Sequence, residues 1–173
     1  EELARNALQR GRRRIAAAGG DGSVNEVVHG IMRAGVADTR DVTLAVVPTG
    51  TGNDWARSLG ITRAAGHIAG VLARGRTMLH DVGAIDFPDT GGPRRWFINV
   101  AGAGYDAYVS ERVPRPVPSA FTYLHVALNG LASYRSPEFH ITASDETIAG
   151  RLLLAFVANA RFCGNRMHVA PTA

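Results

Sequence analysis

The sequence contains no lysine, because all 19 basic residues are arginine. A Schiff base and a complete Walker A phosphate loop both need lysine and are therefore excluded. The single cysteine, Cys163, excludes a disulfide scaffold and fits a reducing compartment. The longest apolar run, from Leu152 to Ala158, has seven residues, which is far short of the roughly 20 that cross a bilayer.

The composition is that of a folded, mildly basic protein. Apolar residues make up 46% of the 173 residues and the net charge is +4, which excludes a disordered chain. The arginine excess is either a weak sign of anionic partners, such as phosphates, acidic lipids or nucleic acid, or a result of genome composition. The chain starts without methionine in residues typical of a helix and ends at Ala173 without completing an element. We therefore expect an internal piece of a longer protein.

A strand, a glycine-rich loop and a helix follow one another twice in the first half. The apolar run Arg14–Ala18 leads into Gly19–Gly22 and a helix from Ser23 to about Ala34, where Ser23 and Glu26 form a capping-box pattern. This order of elements predicts a doubly wound α/β domain with a largely parallel sheet.

The second succession of strand, loop and helix begins with the apolar run Asp41–Val47, which is followed by the loop Thr49–Gly52. Asn53 or Asp54 is expected to cap the short helix that comes next. A further helix after Thr62 is expected to turn three apolar side chains inward, those of Ile68, Val71 and Leu72.

The pattern changes after Arg76 to short strands with one helix. A boundary there would separate an α/β domain, residues 1–76, from a β-sandwich-like domain, residues 77–173, both incomplete. We predict strands at 77–87, 94–100, 138–143 and 151–157, and a helix at 119–133 with Phe121, Leu124, Leu128 and Leu131 on one face.

The first glycine loop has the features of a phosphate site. Glycines let the backbone approach a ligand, and the helix that follows points its positive end at it. Asp21 would repel a phosphate, so its presence indicates a cation such as Mg²⁺ between the two. The alternative is a tight turn in which Asp21 only caps a helix.

The second glycine loop follows a neighbouring strand, so both loops are expected to face each other across one crevice. The amides of Gly50 and Gly52 and the hydroxyl of Thr51 can hold phosphate or ribose oxygens. Asp54 can share the cation with Asp21, or it can be a plain N-cap.

The strings GGDGSVNE and PTGTGNDWARSLGI together resemble the catalytic domain of diacylglycerol kinases, in the branch of bacterial soluble YegS-like lipid kinases that is related to sphingosine and ceramide kinases. The segments WFINVAGAGYD, from Trp96 to Asp106, and Val157 to Pro171 resemble the second domain of that family. The resemblance covers essentially the whole chain. The GGDG string is shared with NAD kinases and phosphofructokinases, whereas the GTxND string is more specific.

The resemblance implies an ATP-dependent kinase that phosphorylates a lipid hydroxyl, with diacylglycerol or a related lipid as substrate. It implies a Mg²⁺ ion held, largely through water, by Asp21, Asp54 and Asp81, which would be the catalytic acids. For Asp81 the alternative is a turn residue at a strand end. The implied nucleotide site consists of Gly19, Gly20, Asp21, Gly22, Ser23, Val24, Asn25, Glu26, Gly50, Thr51 and Asn53.

Three features of the family are missing here: an N-P-x-x-G phosphate loop, a D-G-L segment and a later acidic general base. A triple glycine is also replaced by the residues Gly164, Asn165 and Arg166 after Cys163. We therefore expect the chain alone to be inactive. We expect a cytoplasmic enzyme with a lipid substrate, peripheral contact with the membrane surface and no nucleic-acid partner, and we leave a homodimer open. The alternatives are an NAD or sugar-phosphate kinase and a non-catalytic nucleotide- or lipid-binding relative.

Overall fold

The computed structural model describes residues 1–114, 120–164 and 166–173. Its backbone forms two compact units, one of residues 1–100 with 158–173 and one of residues 101–157. The sequence also predicts a stiff loop from Pro114 to Pro118. Residues 115–118 of this loop and the predicted helix start at Ser119 lie outside the described residues. The domain boundary near Arg76 stays a prediction, since backbone compactness does not define the end of a functional domain.

The elements alternate in the first half and become strand-rich in the second. In chain order they are α1 (Glu2–Gln9), β1 (Arg14–Gly19), α2 (Asp21–Met32), β2 (Thr43–Pro48), α3 (Asp54–Ser58), α4 (Ala65–Arg74), β3 (Gly83–Phe87), β4 (Gly92–Phe97), β5 (Val100–Gly104), α5 (Tyr105–Arg112), α6 (Ala120–Ser133), β6 (Glu138–Ala143), β7 (Glu146–Arg151), β8 (Leu154–Ala158), β9 (Phe162–Cys163) and β10 (Met167–His168).

The first unit is built on the parallel pair β1–β2. The register runs from Arg14 opposite Thr43 to Gly19 opposite Pro48, which confirms the predicted parallel arrangement. Because the strands are parallel, the loops after them emerge at the same edge. The core beside the strands consists of Ala17, Val24, Val28, Val46, Trp55, Ala56, Ile98 and Ala160.

Helix α2 begins at Asp21, two residues earlier than the sequence predicted. Its N-cap is Gly20, with no side-chain hydrogen bond at the cap, so the predicted capping box is wrong. Ser23 lies in the first turn, beside the position that a Gly19 Cβ would occupy. A helix start at Asp21 brings the Asp21 carboxylate to the edge of the sheet where the second loop emerges.

Two other predictions in this unit are corrected. Helix α4 buries no residue, and Leu72, predicted to face inward, is 50% exposed. The strand predicted from Thr77 begins only at Gly83, because its antiparallel partner β4 ends opposite Gly83 at Phe97. Residues 77–82, which hold Asp81, therefore follow an irregular path.

The second unit contains the pair β5–β8 and the hairpin β6–β7. Strand β7 was not predicted, because its sequence, ETIAGR, is exposed at most positions and lacks an apolar run. Helix α6 is confirmed, but Leu124, Leu128 and Leu131 on its predicted core face are 52%, 59% and 49% exposed. The helix instead packs through Val126 and Ala127 onto the tyrosine-rich face of α5.

None of the helices among the described residues is long and apolar enough to span a membrane.

Candidate active site at two glycine loops

The two predicted glycine loops are in direct backbone contact. The Thr49 amide donates to the Gly19 carbonyl at 3.1 Å. A Cβ on Gly50 would lie 2.7 Å from the Gly20 nitrogen, and a Cβ on Gly20 would lie 3.1 Å from the Gly50 Cα. A Cβ essentially never lies 2.7 Å from a backbone atom, so the contact between the loops requires Gly50. At Gly20 a Cβ would be tighter than in most real contacts, so the contact favours glycine there as well.

The first turn of α2 offers open space next to this contact. A Cβ on Gly22 would meet nothing within 4 Å, and Gly22, Ser23 and Glu26 are exposed. Val24 is only 2% exposed and belongs to the core, while Asn25 is half-buried. Of the nucleotide-site residues predicted on α2, Gly22, Ser23 and Glu26 are thus the ones whose surroundings have room for a ligand.

The Asp21 carboxylate links the two loops. Its Oδ2 accepts a hydrogen bond from the Asp54 amide at 3.1 Å, and its Oδ1 accepts one from the Trp55 amide at 2.9 Å. Asp21 thus satisfies the first amides of α3, although it is the first residue of α2. Neither Asn53 nor Asp54 makes the side-chain cap that the sequence predicted. A cap of this kind contributes about 1 kcal/mol.

Asp54 is a buried carboxylate held from two sides. It is 3% exposed, and its Oδ1 accepts hydrogen bonds from Arg57 Nη1 at 2.6 Å and from the Arg166 amide at 2.9 Å. A Cβ on Gly52 would lie 2.9 Å from Asp21 Oδ2 and 3.8 Å from Asp54 Oδ2. The structure therefore brings the two predicted acids, Asp21 and Asp54, together around Gly52.

Asp81 is exposed and lies just before β3. Its main-chain carbonyl accepts a hydrogen bond from Asn159 Nδ2 at 3.2 Å. The neighbouring His80 accepts one from the Trp55 indole at 3.2 Å. Within residues 1–114, 120–164 and 166–173, no three His, Cys, Asp or Glu side chains form a group that could hold a metal ion directly. A role for Asp81 with Asp21 and Asp54 therefore stays a prediction.

Asn53 fixes the shape of the second loop. Its backbone is left-handed, with φ 54°, a conformation that asparagine tolerates better than most residues. Its Nδ2 donates to the Gly50 carbonyl at 2.6 Å, and it is 7% exposed. Its Oδ1 has no hydrogen-bond partner among the described residues. Thr51, in contrast, is exposed at the tip of the loop.

Sequence reasoning missed three contributors to this site. Arg57 could have been found, because it stands three residues after Asp54 on the same helix, a spacing at which opposite charges pair. Trp55 and Arg166 carried no such signal. The Arg166 amide bonds to Asp54 across 112 positions of sequence, which no local pattern encodes.

The second unit holds one carboxyl with a shifted pKa. Burial raises the pKa of the half-buried Asp106 carboxyl, at the start of α5, above its usual value. The folded state therefore favours its protonated form. Its contribution to stability falls as the pH rises through that raised pKa.

The chain is similar to known proteins over most of its length. Residues 1–85 match the model of the diacylglycerol kinase catalytic domain, and residues 99–173 match the YegS C-terminal NAD kinase beta sandwich-like domain. A diacylglycerol kinase of Bacillus subtilis (strain 168) is 35% identical over 161 residues, which are 91% of this chain and 50% of the relative. The chain spans about half the length of the curated relatives it matches.

Solved structures show the same fold. A structure from Bacillus anthracis str. Sterne has a TM-score of 0.70 at 23% identity and covers 99% of this chain and 56% of its own. A diacylglycerol kinase structure from the same strain has a TM-score of 0.60 at 24% identity, over 92% of this chain and 50% of its own. Both predicted fold classes, the α/β domain and the β-sandwich-like domain, are thereby confirmed. The chain belongs to the family of lipid kinases that join a diacylglycerol kinase catalytic domain to a YegS C-terminal domain.

Proposed function

We propose that the natural protein carrying this chain is an ATP-dependent lipid kinase that transfers the γ-phosphate to the hydroxyl of diacylglycerol or a related lipid. The observation that carries the proposal is the Asp21 carboxylate, which binds the first amides of α3 from the first turn of α2. One acidic side chain thereby holds together two glycine loops whose backbones touch. Phosphoryl transfer depends mainly on such positioning of phosphate and counter-charge.

The first turn of α2 suits the phosphates of ATP. Free amides and the positive end of the helix attract an anion there, and the space above Gly22 is open. The exposed Thr51 hydroxyl can donate to a phosphate or ribose oxygen from the second loop. The nucleotide would therefore be held by backbone groups on both loops.

The acids fit a magnesium ion held through water. Both oxygens of Asp21 already accept backbone amides, and Asp54 is paired with Arg57. Carboxylate oxygens are preferred by Mg²⁺, which usually keeps several waters. When bound, the ion would neutralise charge on the transferred phosphate. Asp21 and Asp54 would orient the waters around it, with Asp81 as the third proposed acid.

The remaining parts of a kinase are proposed to lie in the natural protein outside these 173 residues. In the family that this chain resembles, a phosphate loop comes before the segment that matches this chain, and an acidic general base comes after it. A general base typically contributes about 10²- to 10⁴-fold to the rate. The chain alone is therefore expected to bind ATP weakly and to transfer phosphate poorly.

The experiment is transfer of labelled phosphate from ATP, with Mg²⁺, to diacylglycerol, ceramide, sphingosine, undecaprenol and NAD, resolved by thin-layer chromatography. The natural protein should label a lipid and leave NAD unlabelled, and the 173-residue chain should be at least about 100-fold slower. Label on NAD would favour the NAD-kinase alternative. No labelled product from the natural protein would favour a non-catalytic relative.

The lipid substrate leads to a prediction about membranes. The enzyme is proposed to be cytoplasmic, and because these 173 residues carry a net charge of +4, it should bind a membrane surface peripherally and prefer anionic lipids. Cosedimentation should show stronger binding to phosphatidylserine vesicles than to phosphatidylcholine vesicles. The preference should weaken when added salt shortens the Debye length from about 10 Å to about 3 Å. Equal binding to both vesicles at low salt would contradict it.

A further inference from the structure

Two left-handed residues converge on one carboxylate. Among the described residues, the non-glycine positions with positive φ are Asn53, Ser144 and Arg166. Ser144 lies in the turn between β6 and β7, where such backbone is common. Asn53 directly precedes Asp54, and the Arg166 amide donates to Asp54 Oδ1 at 2.9 Å. The unusual backbone of the first unit is therefore concentrated at Asp54.

The contact with Asp54 does not require arginine at position 166. The hydrogen bond comes from the main chain, so any residue with an amide could make it. With φ at 79°, glycine would adopt this conformation without strain, whereas an arginine has to overcome a clash of its Cβ. A strained residue of this kind at a site indicates a use for its side chain.

The Arg166 guanidinium is available for a ligand. The residue is exposed, and in the part of the chain that the structure describes no hydrogen bond or ion pair reaches its side chain. Arg57 differs, because its guanidinium bonds to Asp54 Oδ1 at 2.6 Å and to the Gly52 carbonyl at 3.3 Å. Arg57 pairs with the Asp54 carboxylate, whereas only the main chain of Arg166 is used at Asp54, which leaves its guanidinium for a ligand.

A second positive charge would strengthen phosphate binding at this junction. Asp21 and Asp54 flank Gly52, and two carboxylates this close repel an anion unless cations, such as an arginine or a bound Mg²⁺, join the site. Arginine presents a planar fork of donors that matches two phosphate oxygens. Because the Arg166 main chain is held on Asp54, its side chain starts beside the two loops and is long enough to reach a phosphate there.

We propose that Arg166 is a phosphate-binding residue of the site between the two glycine loops. The inference rests on the proposed function and extends it by a residue that the motifs do not include. The phosphate is either that of the nucleotide or that of a phosphorylated lipid product. Both offer the same anionic oxygens, and binding to ATP and to phosphatidic acid tells them apart.

The test compares Arg166→Gly with Arg166→Lys in the natural protein. Arg166→Gly loses the backbone strain, so its Tm should rise by about 2–4 °C. Its affinity for Mg²⁺-ATP, measured by calorimetry, or for phosphatidic acid vesicles, measured by cosedimentation, should fall about tenfold or more. Arg166→Lys keeps the strain and the charge, so it should have the Tm of the unmodified protein and intermediate affinity. Arg63→Ala removes an exposed arginine outside the two loops and controls for the change in net charge. It should change neither the Tm nor the affinity for the two ligands.

Measuring both Tm and ligand affinity excludes a purely structural role for Arg166, because the loss of a structural residue would lower stability and affinity together. Weaker ATP binding alone assigns the nucleotide phosphate, and weaker phosphatidic acid binding alone assigns the lipid product. Arg166→Gly with unchanged affinity for both ligands, or with a lower Tm, would overturn the inference. Calorimetry needs no turnover, so the outcome is independent of whether the unmodified protein phosphorylates a lipid.

Discussion

An Asp21→Asn variant of the natural protein is expected to lose about 100-fold or more in phosphoryl-transfer turnover, roughly 2.7 kcal/mol of transition-state stabilisation. The change removes a charge that would orient the waters of the metal ion. The carboxylate of Asp21 accepts hydrogen bonds from the Asp54 and Trp55 amides. In the variant, the NH₂ group of the asparagine would face one of these two donors and could not accept its hydrogen bond. Stability should therefore fall by about 1–2 kcal/mol. Steady-state kinetics and thermal unfolding measure the two effects separately.

Asp38→Asn is the matched control for this variant. The Asp38 carboxylate also accepts a hydrogen bond from a backbone amide and pairs with a guanidinium, and both groups belong to Arg40. Asp38 lies outside the two loops. The pair with Arg40 lowers the pKa of the Asp38 carboxyl. Its turnover should match that of the unmodified protein. Unimpaired turnover in Asp21→Asn would remove Asp21 from the catalytic machinery.

Replacing Gly50 by alanine is expected to cause the largest loss of stability. The new methyl group would lie 2.7 Å from the Gly20 nitrogen and 3.1 Å from Asn53 Oδ1. Neither the backbone nor the buried asparagine can move away without opening the contact between the loops. Overpacking of this kind costs about 1–3 kcal/mol. Thermal or urea unfolding of the 173-residue chain or of the natural protein measures it.

Gly22→Ala is the matched control, since it adds the same methyl group at a glycine of the other loop, in the first turn of α2. Nothing lies within 4 Å of that Cβ position, and Gly22 is helical. Alanine should therefore raise stability by about 0.4–1 kcal/mol. If both variants unfolded at the same denaturant concentration, the loops would not be in contact.

The sequence was sufficient to predict the frame of the site because the signals for it are local. The apolar runs of β1 and β2, each followed by glycines, predict parallel strands and facing loops, and the structure places Gly19 opposite Pro48. Side-chain roles were harder to predict. Asp21 was interpreted as a metal contact or a cap of its own turn, yet it caps a helix more than 30 residues away. A carboxylate has many possible partners, and only tertiary structure selects one.

The sequence also failed to predict which face of a helix is buried and which segments are irregular. The leucines of α6 have the spacing of a core face, but α6 packs through its neighbouring face because Gly130 allows Tyr105 and Tyr108 to approach. Apolar periodicity shows that a face exists and does not show which surface covers it. The path of residues 77–82 was missed for a related reason, since strand formation there depends on a partner strand that ends at Phe97.

Calorimetric binding of Mg²⁺-ATP to Gly22→Ala tests most directly whether the two glycine loops hold the phosphates of ATP. The variant should fold at least as stably as the unmodified protein, because the space at Gly22 is empty. If that space holds phosphate, the added methyl group should weaken binding about tenfold or more, which corresponds to about 1.4 kcal/mol. Unchanged affinity for Mg²⁺-ATP in this stable variant would contradict the claim.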